Sequence, residues 1–273
     1  MKKLLYLILF SSLTFAKTNI IVSILPQKIF VDKIGGDRVE TSVMVKIGSS
    51  PHNYSPKPSQ MRSVSKADIY FTIGVEFEEI WLKKFTNQNR NLVVVDLADG
   101  IKKAEIQEHK HKELDPHVWV APINVKVIAQ NIANTLIEQD KNSSKYYENN
   151  LKIFLEELDS LDLEIKEILK DVKKDSAFMV FHPSWGYFAK AYNLQQIAVE
   201  VDGKEPKMRA LVKLMKEAKE KNIRAIFTQP EFSDKSAKIL ANNLHIKVIK
   251  ASPLAENWSE NLINLAKAIA DKE

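Results

Sequence analysis

The chain has 273 residues, 45% of them apolar, with 40 basic and 35 acidic side chains, six histidines and no cysteine. That length and apolar fraction fit one or two domains with a substantial core and exclude disordered and collagen-like chains. Zero cysteine removes disulfide frameworks, thiolate zinc sites, iron–sulfur clusters and thiol nucleophiles, so metal chemistry falls to imidazole and carboxylate, and a net charge of +5 without a long basic run does not point to nucleic acid.

The first segment in chain order reads as a secretory signal. Lys2 and Lys3 give a positive start, residues 4–10 an apolar run, and Thr14-Phe15-Ala16 places small residues where a signal peptidase reads. A membrane anchor is the rival reading, but the stretch ending at Ala16 is shorter than the roughly 18 apolar residues that span a bilayer, and Ser11, Ser12 and Thr14 weaken it. Cleavage between Ala16 and Lys17 is therefore expected. With no cysteine behind it to carry a lipid, the mature chain is expected free in the periplasm. Loss of Lys2 and Lys3 leaves 38 bases against 35 acids, a charge of +3.

Short β-branched runs at 20–24, 40–45, 68–73 and 92–95 read as buried strands, with helices at 27–34, 59–65 and 78–85 between them. After residue 173 a second series follows, with strands at 177–181, 195–199, 225–228 and 247–249 and helices at 184–191, 208–221, 233–243 and 259–270. Such alternation predicts parallel sheets, so the fold class is α/β with two βα domains. Between the two series Tyr147, Leu151, Phe154, Leu155, Leu158, Leu161, Ile165, Ile168, Leu169 and Val172 recur at threes and fours. This predicts one helix over 144–172, about 43 Å long at about 1.5 Å per residue. The stripe is wider than a two-position seam, which favours packing on both domains of a monomer over coiled-coil dimerisation and implies small interdomain motion. The expected organisation is a signal peptide at 1–16, an N-terminal α/β domain at 17–142, a linker helix at 143–173 and a C-terminal α/β domain at 174–273.

Three histidines stand beside prolines at telling places. His52 follows a predicted strand in Gly48-Ser49-Ser50-Pro51-His52-Asn53-Tyr54, His117 sits in Asp115-Pro116-His117-Val118-Trp119, and His182 ends a strand in Phe181-His182-Pro183-Ser184-Trp185. Ligands collect outside the carboxyl ends of strands in open α/β sheets, and proline-fixed backbone lowers the ordering cost of a ligand loop. A cation held by all three bridges the domains, since two come from the first half and one from the second. Singly, each reads as well as a hydrogen-bonded loop residue, and spacing alone leaves the two readings open.

The runs Ser49-Ser50-Pro51-His52-Asn53-Tyr54-Ser55-Pro56-Lys57-Pro58-Ser59, Ala67-Asp68-Ile69-Tyr70-Phe71-Thr72-Ile73-Gly74, Asp115-Pro116-His117-Val118-Trp119, Phe181-His182 and Gly203-Lys204-Glu205-Pro206 together resemble the zinc/manganese family of ABC-transporter solute-binding proteins. The likeness is greatest to its periplasmic zinc-binding members. It implies a bilobed, helix-linked fold, a metal in the interdomain cleft, no enzymatic activity, and delivery to an inner-membrane permease driven by a cytoplasmic ATPase. It further implies that His52, His117 and His182 are the metal ligands. Manganese-type members carry a carboxylate at the third position, and three imidazoles suit Zn²⁺ better than the harder Mn²⁺, so Zn²⁺ is the expected cargo and Mn²⁺ the alternative.

Two departures from the family pattern matter. Where many members have Asp-Pro-Leu this chain reads Ser252-Pro253-Leu254, which leaves the fourth position to water, to Ser252 itself, to Glu231 or to a loop histidine. The acidic, histidine-rich loop of zinc members shrinks to residues 105–113, whose His109 and His111 read either as an auxiliary zinc catch or as a plain polar loop. His245 reads as structural. Three histidines with an open position also describe a zinc hydrolase or hydratase, but neither a His-Glu-x-x-His helix nor a Gly-x-Ser-x-Gly elbow is present. In the metal-free site the loop around His182 or the one around His117 is expected to be the looser part.

Overall fold

Among residues 17–105, 114–201 and 203–271, which the computed structural model describes, the short apolar runs become two sheets of one design. In the first half β1 (Thr18–Val22), β2 (Val39–Val43), β3 (Ile69–Thr72) and β4 (Val93–Asp96) lie in the order β2-β1-β3-β4. The second half repeats it: β5 (Ala177–Val180), β6 (Gln195–Ala198), β7 (Ala225–Thr228) and β8 (Lys247–Lys250) lie in the order β6-β5-β7-β8. Every neighbouring pair is parallel, with Val22 opposite both Val43 and Phe71 in one sheet and Val180 opposite both Ala198 and Phe227 in the other. β3 and β7 are buried along their whole length, as parallel strands covered by helices on both faces must be. The expected α/β class and two-sheet architecture are what the chain adopts.

The helices of the first half are α1 (Leu25–Gly35), α2 (Pro58–Val64), α3 (Glu76–Gln88) and α4 (Pro122–Gln139); those of the second are α6 (Gly186–Ala191), α7 (Met208–Glu220), α8 (Lys235–Leu244) and α9 (Trp258–Ala270). Between them runs α5 (Ser144–Leu169), whose buried stripe Tyr147, Leu151, Phe154, Leu158, Leu161, Ile165 and Leu169 packs on α1 and α4 in one direction and on α9 in the other. It stops three residues short of the expected end. Val172 folds into a turn, its N–H donating to the Leu169 carbonyl at 2.9 Å, yet still packs on the core, so the apolar period outlasts the helix. α4 is the one long helix absent from the sequence reading. Its stripe of Val125, Ile128, Ala129, Ile132, Ala133 and Leu136 opens on Pro122 in the first turn, and its alanines blur the apolar period.

The two lobes share buried material behind the cleft. One continuous core runs from β1 through α5 to α9, while Met179, Phe181, Leu211, Leu214 and Leu240 form a smaller cluster beneath α7 and α8. Phe30 of α1 meets Trp258 of α9 edge-on, with ring centroids 5.0 Å apart. The indole N–H of Trp119 donates to the Pro253 carbonyl at 2.8 Å, and that of Trp258 donates to the Trp119 carbonyl at 3.0 Å. Both bonds are buried, and opening the interface without replacing them costs about 1–3 kcal/mol for each orphaned group. This rear fastening presents the carboxyl ends of strands from both halves to one site.

Candidate metal centre

The three histidines come together, and each turns the same nitrogen away from the others. His182 lies two residues beyond the end of β5 and is clamped by Gln229, whose Oε1 accepts the His182 backbone N–H at 3.3 Å while its Nε2 donates to the His182 carbonyl at 2.9 Å. Its Nδ1 lies 2.9 Å from Glu200 Oε1, just beyond β6, and Phe232 stacks on the ring at 4.6 Å between centroids. Burial pushes the imidazole pKa down to about 4 against the opposing pull of the Glu200 hydrogen bond. The neutral ring therefore donates Nδ1–H to Glu200 and turns its Nε2 lone pair toward His52.

His117 opens the tight helical turn Val118–Val120, and one oxygen of Asp115 accepts from both its backbone N–H (2.9 Å) and its Nδ1 (2.7 Å). His52 lies in the connection from β2 to α2, with its backbone N–H donating to Ser50 Oγ at 3.3 Å and its Nδ1 2.8 Å from Glu76 Oε1. Glu76 reaches it because α3 begins at that residue, two earlier than expected, and the following N–H of Phe77 donates back to the Pro51 carbonyl at 3.3 Å. Burial pulls the Glu76 pKa upward, but the hydrogen bond and charge of His52 outweigh it and bring the carboxyl down to about 2.

One ligand atom from each ring lies within 4.8 Å of the others, and His52 Nε2 is 3.0 Å from His182 Nε2. Two nitrogens on a tetrahedral zinc with bonds of about 2.0–2.1 Å sit roughly 3.3 Å apart, so this pair is already close to the needed spacing. A carboxylate on each Nδ1 fixes the tautomer and raises the basicity of the outward Nε2, which is the arrangement around metal-bound histidine. What the site offers is three imidazole nitrogens within 4.8 Å of one another.

The hold on the rings is the reverse of the expectation. His117 and His182 are 4% and 6% exposed on carboxylates that are themselves buried, whereas His52 is 29% exposed and its Glu76 is 44% exposed. Gln229 additionally holds the His182 backbone at both its N–H and its carbonyl. His52 rides a connection of turns and extended chain between residues 44 and 57.

Of the auxiliary candidates, Ser252 and Glu231 bond to each other. Ser252 Oγ donates to Glu231 Oε1 at 3.2 Å and accepts the Leu254 N–H at 3.1 Å, so the two side chains satisfy each other, and burial holds Glu231 above the usual carboxylate range. Among the described residues, the group able to hold a cation is His52, His117 and His182 without Glu231. His109, His111 and Ala16 lie outside the described residues, and Lys17 leads exposed into β1. His245 takes the left-handed cap of α8 at φ 57°, a structural position. Sequence reading passed over Glu76, Glu200 and Phe232. Asp115 was visible two residues before His117, but Glu200 stands 18 residues from its partner with no local mark.

The family model for the periplasmic zinc-uptake complex component A matches residues 20–272. The high-affinity zinc uptake system protein ZnuA of Bacillus subtilis is 29% identical over 247 residues, covering 85% of this chain and 76% of its own. A manganese ABC transporter substrate-binding lipoprotein of Streptococcus gordonii is also 29% identical, over 252 residues, covering 87% and 78%. A crystal structure of ZnuA superposes with a TM-score of 0.89 at 42% identity, over 94% of this chain and 99% of that one. Among the described residues no helix is long and apolar enough to cross a membrane.

Proposed function

The chain belongs to the zinc-uptake complex component A family of metal ABC transporter substrate-binding proteins, and from that premise we propose that it captures Zn²⁺ between its lobes and hands it to an inner-membrane permease. The observation that carries the reading is the convergence of three imidazoles whose other nitrogens are each spent on a carboxylate. We assign His52, His117 and His182 as the ligands through Nε2, with water as the fourth donor. Nitrogen donors favour Zn²⁺, whereas Mn²⁺ draws on carboxylates and carbonyls, and here the nearby carboxylates serve the rings.

The protein works as a monomeric carrier in the periplasm, exported by the leader cut between Ala16 and Lys17. The streptococcal relative is named a lipoprotein, but a chain without cysteine offers no thiol for such a lipid. The permease and its ATPase are the partners that a substrate-binding component serves.

Titration calorimetry of the metal-free protein tests this. One Zn²⁺ per chain is expected, with Mn²⁺ binding far more weakly and failing to displace it. A preference for Mn²⁺, or no stoichiometric Zn²⁺ uptake, overturns the assignment. A deletion strain grown under chelation and rescued by added zinc, but not manganese, tests the cargo in the cell.

A further inference from the structure

We infer that Tyr187 is a positioning residue for the metal centre and that it makes His117, a residue of the first half of the chain, part of the second lobe's share of the site. The inference rests on the assignment of His117 as a ligand. By sequence the ligands divide two to one between the halves; by the hydrogen bonds from Tyr187 and Trp258 to Asp115 and Trp119, and from Trp119 to Pro253, His117 is tied to the second.

Tyr187 belongs to α6. Its hydroxyl accepts the Ala104 N–H at 2.9 Å and donates to the Asp115 carbonyl at 3.1 Å. Ala104 and Asp115 are themselves paired, the Asp115 N–H donating to the Ala104 carbonyl at 2.8 Å, next to the antiparallel bridge of Glu105 with Leu114. One hydroxyl of the second lobe thus ties both strands of this neck, and the Asp115 side chain holds His117 at its backbone and its ring. Burial pushes the Tyr187 pKa up to about 12, so the hydroxyl keeps its proton and its donor role.

Two further contacts fix the same segment. A Cβ on Gly186 stands 3.0 Å from Asp115 Oδ2, although the backbone there has no positive φ that demands glycine. The missing side chain is explained by the carboxylate lying against it. Two residues beyond His117, the Trp119 indole donates to Pro253 and its carbonyl accepts from Trp258, both of the second half. His117 is therefore bracketed by second-lobe groups at Asp115 and at Trp119. Beside the Tyr187 bridge a cavity of about 570 Å³, lined by Ala104, Asp115, Gly186 and Tyr187, gives the neck room to shift once the bridge is cut. His52 alone crosses from the other lobe.

The test is Tyr187→Phe, which keeps the packed ring and deletes the hydroxyl, read by Zn²⁺ titration in three backgrounds. Outer-shell partners of metal ligands are worth about 10–100-fold in affinity, and a roughly tenfold loss is expected in the otherwise native protein. The same factor is expected in a His52→Ala background and none in a His117→Ala background, because the effect acts through His117. An equal loss in all three backgrounds marks a general structural role and overturns the inference, as does no loss in the native background. Gly186→Ala supplies a second route: alanine favours the helix, so metal-free melting should not fall, while Zn²⁺ affinity should. Unchanged affinity there also counts against the inference. If His117→Ala by itself leaves Zn²⁺ binding intact, it is the ligand assignment that fails.

Discussion

The rear of the site and its front are built to different standards. At the rear, His117 and His182 are buried, each ring faces a buried carboxylate, and indole, amide and phenol groups brace the backbone on either side. At the front, His52 sits half-buried on a turn-rich connection and is oriented by a carboxylate on the first turn of α3. The contrast teaches that all three rings already converge, but two are held by buried partners and the third, although 3.0 Å from His182, by exposed ones. Preorganised donors lose little freedom on binding, so on the proposed ligand assignment the larger adjustment is expected in the connection carrying His52.

The largest test of this contrast is ligand removal. Structural zinc sites gather roughly 10–16 kcal/mol over four ligands, so one ligand is worth about 3 kcal/mol, or about 150-fold in affinity. His117→Ala and His182→Ala should each lose at least that factor of Zn²⁺ affinity in calorimetry, and His52→Ala should lose less, since the prebuilt pair remains. Next come the carboxylates. Glu200→Gln and Asp115→Asn should weaken binding about tenfold or more, and Glu76→Gln only a few-fold because solvent already screens it. Equal losses at all three carboxylates break the contrast between rear and front.

Acid stability sharpens it further. The pKa of His182 is held near 4 in the fold against an ordinary value of 6.5, so between those values the unfolded chain binds the extra proton and stability falls as pH drops. Denaturant unfolding of the metal-free protein should show a slope approaching about 1.4 kcal/mol per pH unit more in the wild type than in His182→Asn across that window. Glu78 contributes with the opposite sign, because burial raises its carboxyl to about 7 and the folded chain takes up the proton first, so the difference between the two proteins carries the reading. The smallest expected effect belongs to His109→Ala with His111→Ala, which should leave the main-site affinity unchanged.

Much of this was legible in the residues. The stripe from Tyr147 to Leu169 announced the spine, and alternating apolar runs announced both sheets, because periods of 3.6 and of strand length are local properties. The three histidines stood out through their prolines and strand ends. What the chain order concealed was long-range. Nothing near His182 marks Glu200, nothing near His117 marks Tyr187 or Trp258, and so which lobe braces each histidine could not be read by counting which half it occupies. α4 escaped for a different reason: alanines carry part of its buried face and bury little surface each.

The central claim is that three imidazole nitrogens, and not carboxylates, hold the ion. Zinc-edge X-ray absorption on the protein loaded with one equivalent of Zn²⁺ addresses it directly. Three imidazoles with Zn–N distances of about 2.0–2.1 Å and one oxygen are predicted, falling to two imidazoles in His52→Ala. A shell of two or fewer imidazoles in the native protein, or one dominated by oxygen, contradicts the account.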